Sequence, residues 1–188
     1  MKLLVINGPS LGSLGTREVE IFGKKNYDYL CQQIAKKAAE SEILVEIYQS
    51  NHEGDIIDRI HQSFEDGTTG IIINPAAYAH YSYCIYDALM SVPIPKVQVH
   101  IADLDKRAEE WRHTNVIGPA CNEVIMGRGY DGYIDAIDYM IRNKAEYTAM
   151  DILKAQEESE SCDMSDKERL KAAEAEKEAA ERKKSIEK

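Results

Sequence analysis

The chain has 188 residues, enough for one ordinary domain with a substantial core and an appendage, but hardly for two full domains. Its 44% hydrophobic and 30% charged residues are those of a soluble globular chain, and no apolar run approaches the length of a membrane span. A formal net charge of −10 repels a phosphate backbone, which sets nucleic acid aside as a partner.

The first apolar run, KLLVING, ends in Asn-Gly-Pro rather than at a small-residue cleavage site. It reads as a buried strand and not as a signal peptide, so a cytoplasmic protein is expected. The loop after it, NGPSLGSLGTREVEIFG, spans Asn7 to Gly23. A helix is expected over 26–40, a second strand at ILVEIYQS, a helix over 54–65, a third strand at TGIIINP and a helix over 79–90. PKVQVHI and EVIMG supply the fourth and fifth strands, and a helix over 130–144 follows. This alternation predicts an α/β fold: a flavodoxin-like, doubly wound, five-stranded parallel sheet of order 2-1-3-4-5. Ligands of such sheets bind beyond the carboxyl ends of the strands. The residues there are Asn7-Gly8-Pro9, Asn51-His52, Asn74-Pro75, His100-Ile101 and Gly127-Arg128-Gly129.

Composition changes near Met150, after which there is charge and alanine without aromatic or proline residues. The expected organisation is therefore an α/β domain over 1–148 and a charged C-terminal extension over 149–188, helical or partly disordered. Ser165-Asp166-Lys167-Glu168 has the form of a capping box that would start a solvated helix. Cys31, Cys84, Cys121 and Cys162 are too scattered for a zinc cluster or a redox pair, and no histidines share metal-ligand spacing. The segment GRGYDG matches a dinucleotide-binding pattern, but no further strand completes the unit, so glycines at a strand-to-helix turn account for it better.

His100 and His80 follow the fourth and third strands, on the same expected edge as Asn7, Arg17, Asn74, Asp87, Arg107 and Arg112. That gathering predicts a pocket for a hydroxylated, anionic small molecule and no metal site. In this order, LLVINGPSLGSLGTREVEIFG, IIINPAAYAHYSYCIYDAL, PKVQVHI and EEWRHTNVI resemble the successive signature segments of the type II 3-dehydroquinases, over Met1 to about Tyr147. The resemblance implies the same fold, a cofactor-free elimination of water from 3-dehydroquinate, a cyclic hydroxy/keto carboxylate as ligand, and a homo-oligomer, trimer or dodecamer. It also implies His100 as general acid, with Arg17 beside the base position. Asn74, His80, Asp87, Arg107, Arg112 and the backbone of Ile101 and Ala102 then hold the carboxylate and ring hydroxyls.

Three departures fall on the chemistry. Where the family has its base tyrosine stands Phe22, which cannot take a proton; its water-holding asparagine is Ser10; the glutamate that orients the acid is Gln98. Gln98 can accept a hydrogen bond from imidazole but brings no negative charge. The usual serine is also missing at Ala102, and one extra residue separates His100 from Arg112. The chain holds eleven tyrosines and two phenylalanines, so a general drift from tyrosine to phenylalanine does not explain Phe22. Three readings follow: a dehydratase with weakened chemistry, with Tyr27 or Tyr29 as a candidate replacement base; a family member acting on a related cyclic acid or ketone; and a non-catalytic ligand-binding or scaffold homologue.

Overall fold

The computed structural model describes residues 1–144. The expected extension over 149–188, with its capping box at Ser165, and the expected domain end at 148 lie outside the described residues. Five strands, β1 (Lys2–Asn7), β2 (Leu44–Gln49), β3 (Gly70–Asn74), β4 (Lys96–His100) and β5 (Glu123–Met126), pair in parallel in the order β2-β1-β3-β4-β5. Between and after them run α1 (Val19–Phe22), α2 (Tyr27–Glu40), α3 (Glu53–Gln62), α4 (Tyr83–Ser91) and α5 (Asp131–Arg142).

Both faces of the sheet are covered, which is why its central strands read as unbroken aliphatic runs. Leu3 to Ile6 and Ile71 to Ile73 have no solvent exposure. Leu4, Ile6, Ile71 and Ile73 face Ile56 and Ile60 of α3 and Ile85 and Leu89 of α4. On the other face, α2 and α5 pack together and against the strands. The side chain of Asn26 caps α2 by accepting from the Tyr29 backbone N–H at 3.0 Å, and Leu30, Ile34 and Ala38 make its buried stripe. The helix expected over 79–90 divides in two. A 3₁₀ turn covers Ala76–His80, and α4 starts afresh at Tyr83 because Ser82 accepts from the Ile85 N–H at 3.0 Å as its N-cap.

The register determines what meets at the carboxyl edge. Asn7 lies opposite Asn74 across β1 and β3, the point where the winding reverses. The fully buried Tyr133 of α5 donates to Asn7 Oδ1 at 2.7 Å and accepts from Asn74 Nδ2 at 2.9 Å. A Cβ on Gly8 would sit 2.7 Å from the Pro75 carbonyl oxygen, so the loops after β1 and β3 touch through their backbones. In GRGYDG, Gly127 (φ 72) and Gly129 (φ 59) donate their N–H groups to the carbonyls of His100 and Ile101. This turn ties the exits of β4 and β5 together, as expected of turn glycines.

Candidate active site

A cavity of about 150 Å³ opens at this edge, between the loops after β1, β3 and β4. His100, the last residue of β4, lines it at 4% exposure. Gln98, two residues back on the same side of the strand, is fully buried, with its Nε2 2.8 Å from His100 Nε2. Gln98 also exchanges two hydrogen bonds with the Asn115 amide: its Nε2 donates to Oδ1 and its Oε1 accepts from Nδ2, each at 3.0 Å. Asn115 Oδ1 accepts in addition from the Gly118 backbone N–H at 3.0 Å. Glutamine can accept from an imidazole, but here the Gln98 carbonyl oxygen is engaged by Asn115, so Gln98 meets His100 through its Nε2 as donor. Burial first, and then neighbouring His80, push the His100 imidazolium pKa down to about 3, so the ring is neutral at pH 7.

Three guanidinium groups line the cavity, those of Arg17, Arg107 and Arg112. Arg17 lies over the Phe22 ring, its Cζ 4.7 Å from the centroid, and Arg107 Cζ is 6.0 Å from the same centroid. Glu18 joins the two loops by accepting from Arg17 Nη2 at 3.0 Å and Arg107 Nη2 at 2.9 Å. The Arg17 hydrogen bond, with help from Arg107, holds the Glu18 carboxyl below the usual range. The aromatic ring at 22 is thus bracketed by cations, the surroundings that would favour a phenolate, but it carries no hydroxyl.

His80, also in the cavity lining, donates from Nδ1 to the Thr114 carbonyl at 2.7 Å and meets the Trp111 ring edge-on, with centroids 5.1 Å apart. Arg112 stacks on Trp111 at 4.2 Å; its Nε is 3.2 Å from Glu109 Oε1, close enough for an ion pair but misaligned for a hydrogen bond. Ser10, Asn74, Ile101 and Ala102 complete the lining. Ser10 (φ 63) and Ala76 (φ 50) hold left-handed backbones there, a kind of strain that concentrates at functional sites. Asn74 spends its amide on Tyr133 and on the Ala76 N–H.

Of the expected binding residues, Asp87 is the one the structure keeps out of the cavity, since it lies on the exposed face of α4. Of the expected edge residues, His52 is exposed outside the cavity, and Gly127 and Gly129 border a neighbouring depression. Neither replacement base fits. The Tyr27 hydroxyl accepts from Asn7 Nδ2 at 3.3 Å, and burial, then the neighbouring Cys31, raises its pKa. The Tyr29 hydroxyl accepts from Lys25 Nζ at 2.6 Å, and neither ring lines the cavity. Sequence reading missed Glu18 and Asn115. Glu18 carried a hint in its place beside Arg17; Asn115 carried none, because its partner is 17 residues away.

The family model described as Dehydroquinase class II matches residues 1–141. A 3-dehydroquinate dehydratase of Lachnoclostridium phytofermentans is 52% identical over 141 residues, 75% of this chain and 97% of that one. One from Lachnospira eligens is 49% identical over 142 residues, 75% and 96% of the two chains. The crystal structure of a type II dehydroquinase from Butyrivibrio crossotus superposes with a TM-score of 0.73 at 54% identity, covering 74% of this chain and 97% of that one.

Proposed function

Since the chain belongs to the class II dehydroquinase family, we propose that it removes water from 3-dehydroquinate to give 3-dehydroshikimate, acting as a hydro-lyase whose proton-removal step is slow. The observation that carries this reading is the cavity itself, where a buried imidazole and three guanidinium groups converge. The reaction breaks a C–H bond next to a ketone, its proton passing to a water molecule in the site, leaves the electron pair in an enolate, and releases the hydroxyl of the neighbouring carbon as water when His100 passes it a proton. Cations at the walls lower the barrier by meeting the enolate and the carboxylate in a site that needs no rearrangement. Arg17 and Arg107 lie nearest the ring at 22, while Arg112 and His80 supply further polar contacts from the cavity lining. His100 hydrogen-bonds the leaving hydroxyl. At a pKa of about 3 its imidazolium is a strong acid that is seldom loaded at neutral pH.

Phe22 contributes shape and exclusion of water, not a proton acceptor. Losing a general base lowers rates by about 10²–10⁴-fold, while positioning and charge stabilisation persist. The ligand class is a small cyclic hydroxy/keto carboxylate, with no nucleic acid and no cofactor. Among the described residues no helix is long and apolar enough to cross a membrane. Tyr83 and Met90, 66% and 57% exposed on α4, support association of the chain into a homo-oligomer. The test is formation of the enone product from 3-dehydroquinate by the purified full chain, followed by its absorbance. Slow turnover that depends on His100 is expected; no turnover by the unmodified protein and none by Phe22→Tyr would reject the reading.

A further inference from the structure

The hydrogen bonds around Gln98 leave little freedom in how protons are arranged. A backbone N–H can only donate, so the Gly118 N–H, 3.0 Å from the Asn115 side chain, identifies the oxygen of that amide. The Asn115 nitrogen must then face Gln98 Oε1, and the Gln98 nitrogen must face Asn115 Oδ1. One N–H of Gln98 remains, and it meets His100 Nε2 at 2.8 Å. His100 Nε2 therefore accepts, and the proton of the neutral ring sits on Nδ1. The same segment treats His80 in the opposite sense. The Thr114 carbonyl can only accept, so His80 Nδ1 donates at 2.7 Å, and in the neutral ring the lone pair falls on Nε2.

We propose that Thr114 to Gly118 form a strap that sets the protonation pattern of both pocket histidines, with Asn115 as a positioning residue that locks His100 as the neutral Nδ1–H tautomer. The strap is itself anchored, since the Val116 N–H donates to the Ala79 carbonyl at 2.8 Å, beside His80. Gly118 makes room for the clamp: a Cβ there would lie 2.8 Å from Asn115 Nδ2 and 3.4 Å from Gln98 Oε1. With both rings neutral, the two imidazoles carry their free nitrogens in opposite states, an N–H on His100 and a lone pair on His80. A ligand that engages both must offer an acceptor to the first and a hydroxyl or other donor to the second. Only this statement about the ligand rests on the proposed reaction.

The experiment is ¹⁵N–¹H correlation NMR of the histidine rings in the full-length, ¹⁵N-histidine-labelled protein at neutral pH, with His100 assigned by His100→Gln. His100 is expected to show a protonated Nδ1 and an unprotonated Nε2, the tautomer that free histidine disfavours. Asn115→Ala frees the Gln98 amide to turn over, so His100 Nε2 should move toward the protonated range while His80, held by a backbone carbonyl, stays put. Gln98→Glu, which can only accept at that position, should protonate Nε2 outright. Gly118→Ala, which crowds the Asn115 amide, should produce the Asn115→Ala shift and serves if that variant fails to fold. A protonated, neutral-ring Nε2 on His100 in the unmodified protein overturns the proposal, as does a His100 pattern indifferent to both Asn115→Ala and Gly118→Ala. Turnover of 3-dehydroquinate is measured on the same samples: its absence would count against the proposed reaction and leave the tautomer result standing.

Discussion

Restoring a phenol at position 22 tests whether the bracketing cations can still support a proton-abstracting group. In Phe22→Tyr the new hydroxyl would stand roughly 2.8 Å from the ring centroid, placing it roughly 5.5 Å from the Arg17 charge that lies over the ring. Coulomb's law then gives a stabilisation of the phenolate of about 3 kcal/mol at an effective dielectric near 20, falling to about 0.8 kcal/mol in bulk water. That corresponds to a pKa lowered by about 0.5–2 units from the ordinary value near 10. Glu18, which pairs with both Arg17 and Arg107, pulls the result toward the smaller figure. Even a partly ionised phenol at mild alkaline pH should add general-base catalysis, so kcat/KM on 3-dehydroquinate should rise at least about 10²-fold. Steady-state enone formation between pH 7 and 9 measures this, with a rate that climbs toward the phenol pKa. An unchanged kcat/KM across that range, in a variant that still binds the substrate, would refute the argument that the site lacks only its base.

His100 makes stability depend on acid. Its folded pKa of about 3 lies below the ordinary histidine value of 6.5, so between these pH values the unfolded chain binds a proton that the folded chain does not. The unfolding free energy should fall by about 1.4 kcal/mol per pH unit as pH drops through this window, and His100→Gln should remove that slope in urea titrations. Tyr133→Phe deletes the hydroxyl shared by Asn7 and Asn74 and leaves two buried polar atoms unpaired, at a cost of about 1–3 kcal/mol. Thermal unfolding should register it as a lower Tm, with KM raised because Asn74 lines the pocket. Gly8→Ala forces a methyl onto the Pro75 carbonyl, and since the contact is backbone to backbone it should destabilise by about 1–3 kcal/mol, read by the same melt.

Much of this protein is written locally. The aliphatic runs at β1, β3 and β4 are readable because a strand buried on both faces needs apolar residues at every position, and their alternation with helices leads to the observed strand order. The candidate pocket was legible for the same reason, since a parallel sheet collects the residues that follow its strands on one edge. Local signals reached their limit at Ser82, whose capping hydroxyl divides an apparently continuous helix.

What the sequence could not determine is which atoms face each other over long separations. The choice of donor between Gln98 and His100 depends on Asn115 and Gly118, and the tie between Arg107 and Glu18 spans 89 positions. Asp87 shows the converse: its place in the chain suggests the pocket, but the rotation of α4 turns it away from the cavity of its own chain, onto the face that also carries Tyr83 and Met90. Periodicity and composition are set by neighbours along the chain, so the sequence alone determined strands, helices and the edge that carries the candidate site. Hydrogen-bond direction, proton position and side-chain facing are set by neighbours in space, and only the tertiary structure decided them.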